Sequence, residues 1–144
     1  MKADGHCGYR VIADYLFDGG EDSFHRVRAD IWHSLSTHPE WYRDAFVEDN
    51  RVEALLDIVN CGDVEKVDQE HWFTLPEMAH VVATVYNHAL VVLSPGLSLT
   101  YLPLRTAPTP ESRVLCMALV NNCHFISVSK IYEYVTCKFY YYIR

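Results

Sequence analysis

A change in hydrophobic period near Asn87 constrains this sequence more than any other feature. Before it, apolar residues recur at helical spacing. Phe24, Val27, Ile31, Trp32 and Leu35 predict an amphipathic helix over Asp22 to Ser36. Tyr9 to Phe17, ended by Gly19-Gly20, reads as a first helix; Glu40 to Phe46 and Val52 to Val59 read as shorter ones beyond a break at His38-Pro39. Thr74-Leu-Pro-Glu77 has the form of a capping box, with Thr74 at the N-cap and Glu77 three residues on, opening a helix that stops near Asn87. After Asn87 the runs become short and continuous. Ala89 to Leu93 and Leu97 to Leu102 read as strands about a Ser94-Pro-Gly96 turn, and Pro103 to Pro110 as a loop. Val114 to Val120 and Phe125 to Val128 follow as two strands around Asn121-Asn122, a hairpin turn pair. Helices first and strands later describe an α+β domain, helices packed on one small mixed or antiparallel sheet.

The 144 residues fit one domain, over residues 1–128, with an atypical tail at 129–144 that holds five of the ten tyrosines. That tail reads as an edge strand or a terminal helix, or alternatively as translated non-coding sequence. Half the residues are apolar, enough to bury a core without metal or disulfide staples. Twelve Lys and Arg against 19 Asp and Glu give a net charge of −7, which argues against a nucleic-acid partner. The first twenty residues are too charged for a signal peptide, and runs such as Leu115 to Val120 fall far short of the roughly 20 residues a membrane helix needs. The expectation is therefore a monomer of the cytoplasm or nucleus, with no membrane contact. Five cysteines, an odd number without a CxxC pair, argue against a disulfide framework and give little support to a metal site. His71, His80 and His88 lie at spacings that share no helical face and read as surface residues; Trp32, Trp41 and Trp72 read as packing residues, and Cys116 and Cys123 as buried thiols.

The chemistry concentrates in Asp4-Gly-His-Cys7-Gly-Tyr-Arg10. Asp4-Gly5 is turn chemistry, and Cys7 sits at the entry of the first predicted helix, where unpaired N–H groups and the helix dipole favour a thiolate and lower its pKa. The same N–H groups suit a developing oxyanion. Gly8 is expected to leave the approach to sulfur open. A cysteine nucleophile needs a base near it in space, and His124, beside the Asn121-Asn122 turn at the start of a strand, is the candidate. Taken alone, each has a plainer reading, Cys7 as a small core residue and His124 as a turn histidine.

Asp4-Gly-His-Cys7-Gly-Tyr-Arg10 followed by Ala13 resembles the nucleophile signature of the ovarian-tumour (OTU) family of papain-like cysteine proteases, and His124-Phe125 with Val128 resembles its second motif. Trp72 to Ala79, Tyr86-Asn87 and Ala89 to Leu93 are similar to the family's middle helix and following strand. Tyr101-Leu-Pro-Leu104 resembles the variant found in plant and fungal transposon-related proteins, so that processing of some other peptide is a further reading. The resemblance implies a papain-like OTU fold and hydrolysis of peptide or isopeptide bonds at the C-terminus of ubiquitin or a ubiquitin-like protein, with no metal or organic cofactor. It implies Cys7 as nucleophile, His124 as general base and Asp4 as a supporting catalytic residue. Gly5, His6 and Asn122 would support the oxyanion or the site, with His6 lining its mouth. Acidic net charge suits a basic partner such as ubiquitin. Two departures stand out. Many members carry Asp or Asn two residues after the histidine, where this sequence has Ile126, leaving Asn121, Asn122 or Asp4 to orient the imidazole. The Asp4 motif also lies almost at the first residue, so elements that brace this loop in the family are expected to be missing. Both, together with the atypical tail, favour the rival reading, a degenerate module that binds ubiquitin or another protein without cleaving it.

Overall fold

A computed structural model describes residues 2–128, and the tail expected over 129–144 lies outside the described residues. Five helices, α1 (Cys7–Leu16), α2 (Phe24–Thr37), α3 (Pro39–Arg43), α4 (Arg51–Val59) and α5 (Glu77–Tyr86), precede four strands, β1 (Ala89–Leu93), β2 (Leu99–Tyr101), β3 (Val114–Val120) and β4 (His124–Ser127). Short 3₁₀ turns lie at Gly20–Ser23 and Gln69–His71. The sheet runs β2-β1-β3-β4. β1 and β3 are parallel, and the two outer pairings are antiparallel. The α+β expectation with one small mixed sheet is met, although the second strand is three residues long rather than six. Among the described residues, no helix is long and apolar enough to cross a membrane.

The elements form where their buried faces coincide. In α2, Phe24, Val27, Ile31 and Leu35 are all at most 4% exposed, and Arg28 is buried in the same stripe. Trp32 lies one step past the edge of that stripe and is 46% exposed, so it is not the packing residue its spacing predicts. α1 is buried along every residue from Cys7 to Ala13 because it lies between α2 on one side and β4 on the other. Each large side chain so buried contributes about 1.5–3 kcal/mol.

Two devices set α1 against β4. Tyr9, Phe73 and Phe125 stack edge to face, at centroid separations of 5.3 and 5.4 Å. At the other end of α1, the Tyr15 hydroxyl reaches the carbonyls of Cys116 at 2.8 Å and Val128 at 2.5 Å, its one proton shared between them. Thus α1 and the β3–β4 hairpin, about 100 residues apart in sequence, are held in fixed relation.

Two local readings are corrected. α5 starts at Glu77 after Pro76, not at a Thr74 cap. The residue before a proline is disfavoured in the helical region, so Leu75 does not belong to the helix. Glu77 pairs with Arg51 at 3.2 Å, and the Thr74 hydroxyl has no hydrogen-bond partner among the described residues. The turn between β3 and β4 uses Asn121 and Asn122 at φ 52° and 55°, left-handed values that asparagine tolerates. It spans three residues, and the third, Cys123, stands exposed at its tip instead of buried.

Candidate active site

The loop before α1 is fastened at every polar group that counts. Asp4 Oδ1 accepts the His6 N–H at 2.9 Å, and Oδ2 accepts two hydrogen bonds from Arg10, at 2.7 and 3.0 Å. Arg10 also donates to Asp22 Oδ1 and the Glu21 carbonyl, both at 3.2 Å, and its guanidinium lies over the Phe24 ring. Burial works to raise the Asp4 carboxyl, but the Arg10 guanidinium and the His6 N–H outweigh it and hold it below its ordinary value. Gly5 sits at φ +87°, where a Cβ would come 2.6 Å from the Val67 carbonyl oxygen. The Val67 N–H donates back to Asp4 O at 2.9 Å, so the segment around Val67 lies directly on the loop.

Cys7 is the first residue of α1 and 7% exposed. Its sulfur accepts the Phe125 N–H at 3.4 Å. Burial pushes the Cys7 thiol up, and this outweighs the N–H groups of Phe125, Gly8 and Cys7 itself, which favour the thiolate. The lowered pKa expected at the helix start is therefore not met, because burial of the sulfur outweighs the N–H groups there. Gly8 is corrected too. Its missing side chain makes room for Phe73, whose Cβ would lie 2.5 Å from an added Cβ, so the glycine serves packing and does not open a path to sulfur.

His124 opens β4, paired with Val120. It lines the same cleft of about 520 Å³ as Cys7, together with Gly5, Trp72, Asn122 and Cys123. Among the described residues, no hydrogen bond reaches the His124 imidazole. Asn121 and Asn122 are exposed, and Ile126, on the same strand face, is 36% exposed. Asp4 is committed to Arg10 and lies outside this cleft, so it is not the group that orients the imidazole.

His6 does not line the mouth. Its ring is fully buried, tilted against Phe24 with centroids 4.3 Å apart, because Arg28 and the Val64 carbonyl offer it partners inside the protein. Of the residues the sequence nominates, Cys7, His124, Gly5 and Asn122 meet at the cleft, while Asp4 and His6 lie behind it. Arg10 and Arg28 were not nominated. Arg28 left a readable signal, as a cation lying within the apolar stripe of α2.

Among the described residues, no group of three or more His, Cys, Asp or Glu side chains is placed to hold a metal ion. His71, His80 and His88 are partly buried, and each has its own surroundings. His71 contacts the Ile58 carbonyl, His80 lies edge-on to Tyr101, and His88 Nδ1 accepts the Arg113 N–H.

No family model and no curated protein matches the sequence. Solved structures do. The chain is similar to the OTU domain of OTUD1 at 12% identity, with a TM-score of 0.63 over 88% of this chain and 81% of that one. It is similar to the viral OTU domain protease from Qalyub virus at 10% identity, with a TM-score of 0.58 over 87% and 78%. The corresponding protease from Farallon virus matches at 19% identity, with a TM-score of 0.53 over 88% and 79%. The chain has the OTU-domain fold.

Proposed function

We propose that this chain is an OTU-type cysteine hydrolase that cleaves the peptide or isopeptide bond at the C-terminus of ubiquitin or a ubiquitin-like protein. The observation that carries the reading is the meeting of Cys7 and His124 at one cleft, with the Phe125 N–H on the Cys7 sulfur, in an OTU fold. In the proposed cycle His124 takes the Cys7 proton as sulfur attacks the substrate carbonyl carbon. The oxyanion accepts hydrogen bonds from backbone N–H groups at the start of α1. Collapse expels the amine, which takes the proton from His124 and leaves a thioester on Cys7. Water then attacks that thioester with His124 as base, releasing the carboxylate and restoring the thiol. Since burial favours the neutral thiol, proton transfer belongs to the attack step; a standing ion pair is not required.

The second reading is a module of the same fold that binds such a protein without cleaving it. It is favoured by Ile126 on the face that carries His124. Labelling with a ubiquitin probe bearing a C-terminal electrophile separates the two. A covalent adduct formed by the wild type and absent from Cys7→Ala supports the hydrolase. Saturable ubiquitin binding by a folded protein that forms no adduct supports the binding module and overturns the hydrolase.

A further inference from the structure

We infer that His6 is a positioning residue: its neutral imidazole ties α2, through Arg28, to the segment that reaches the cleft at Lys66 and Val67, through the Val64 carbonyl, and so fixes the backbone from which Cys7 projects. The inference rests on the proposed role of Cys7 for its functional meaning, although the geometry that carries it is independent of that role.

Arg28 is a buried cation with no carboxylate on it among the described residues. Its Nη1 donates to the carbonyls of Ile58 at 3.0 Å and Val59 at 3.4 Å, at the C-terminal end of α4, and its Nη2 donates to His71 O at 2.8 Å. The guanidinium lies 3.8 Å from the centre of the Tyr9 ring. Its Nε donates to His6 Nδ1 at 3.2 Å. An Nδ1 that accepts carries no proton, so the proton is on Nε2, which donates to Val64 O at 3.1 Å. The bonds select one tautomer of a neutral ring. Two long-range connections therefore meet on the residue immediately before Cys7, one spanning 22 residues and the other 58.

Protonation breaks this arrangement. It would place an Nδ1–H against the Arg28 Nε–H and set a second cation against a buried guanidinium. The other charged neighbours do not compensate. α1 contributes Arg10 and α2 contributes His25, whose ring lies 6.3 Å from His6. The loop contributes Asp4, already paired with Arg10, and the adjoining segment carries exposed Asp63, Glu65 and Lys66. Burial, followed by the Arg28 charge, holds the His6 pKa below its ordinary 6.5. The stabilisation His6 provides is thus complete above about pH 6.5 and is lost as pH falls through the lower folded value.

The test is the rate at which dipyridyl disulfide, a reagent still reactive in acid, modifies Cys7 from pH 8 to pH 4.5, read on the Cys7 peptide by mass spectrometry. The wild type, His6→Gln and His6→Ala are compared, with circular dichroism confirming the fold at each pH. Glutamine can accept from Arg28 and donate to Val64, but does not titrate. At pH 8, His6→Gln is expected to match the wild type. In acid the wild type is expected to react about tenfold faster than His6→Gln, as the loss of a charge-assisted hydrogen bond implies. His6→Ala should react fast throughout. A wild-type to His6→Gln ratio that stays at one across the range overturns the inference, as does a His6→Gln protein that reacts like His6→Ala at pH 8. None of these readouts needs ubiquitin or turnover, so failure here is distinct from failure of the hydrolase assignment.

Discussion

The two sides of the cleft are built in opposite ways. On the nucleophile side, Asp4, Gly5, His6 and Arg10 are held by several side-chain and backbone bonds and close contacts. On the base side, among the described residues, His124 is placed by its register opposite Val120 and by the neighbouring Phe125 ring packed on Phe73. No described side chain fastens its imidazole. The difference follows burial. Polar groups behind Cys7 are enclosed and must find partners, whereas the β3–β4 turn is exposed and water serves it. In the proposed chemistry, sulfur and oxyanion donors are preorganised, and the imidazole is the part left to move.

The largest effect expected from breaking this contrast is on the nucleophile itself. Cys7→Ala should abolish adduct formation and lower turnover by at least about 10³-fold with the fold intact, since nucleophile and base act as a unit. Gel-shift labelling and hydrolysis of a fluorogenic ubiquitin substrate check it. Residual turnover within tenfold of the wild type would remove Cys7 from the mechanism.

Asp4→Ala should come next, at about 3 kcal/mol of stability, because it leaves Arg10 buried with only the exposed Asp22 as a charged partner. Its pH signature is specific. The folded Asp4 pKa lies below the unfolded value of 3.8, so its stabilisation is present above pH 3.8 and is lost as pH falls through the folded value. Thermal melts of the wild type and Asp4→Ala should therefore differ at pH 7 and converge in strong acid. A difference that persists unchanged into acid would mean that packing, not the Arg10 pair, makes Asp4 important.

Gly8→Ala sets two effects against each other. Alanine gains about 1 kcal/mol in a helix over glycine, but the added methyl meets the Phe73 Cβ, which cannot swing away as a side-chain tip could. The clash should win by about 1–2 kcal/mol and displace Phe73 against Phe125, weakening the N–H contact on the Cys7 sulfur. Urea denaturation reads the stability loss, and a more stable variant would show that Phe73 has room to retreat.

How much of this was legible in the sequence depends on how local the cause is. Period located α2, a continuous apolar run located β3, and two asparagines in succession marked the turn that adopts left-handed φ. Cys7 at a helix start and His124 at a strand start were equally readable. What failed was everything decided by distant partners. His6 looks like a cleft residue from its place beside Cys7, yet Arg28 and Val64 draw it inward. Gly8 acquires its meaning from Phe73, and the Cys7 thiol is set by the burial that β4 imposes. Arg28 itself breaks the polarity rule for its stripe, because the carbonyls of Ile58, Val59 and His71 converge where its side chain ends.

Sharpening the contrast means adding to the base side what it lacks. Ile126 and His124 lie on one face of β4, two residues apart, paired with Ala118 and Val120 of β3. Replacing the half-exposed isoleucine with asparagine removes little buried apolar surface and offers the imidazole an amide. One neutral hydrogen bond contributes about 1 kcal/mol net, so Ile126→Asn should raise kcat/KM about fivefold while stability changes by less than about 0.5 kcal/mol. The gain should appear in kcat, because an oriented base acts on the transition state and not on substrate binding. Steady-state hydrolysis of a ubiquitin substrate by both proteins decides it. Unchanged kcat would mean that backbone register alone already orients His124, and the two sides of the cleft would then be equally prepared by different means.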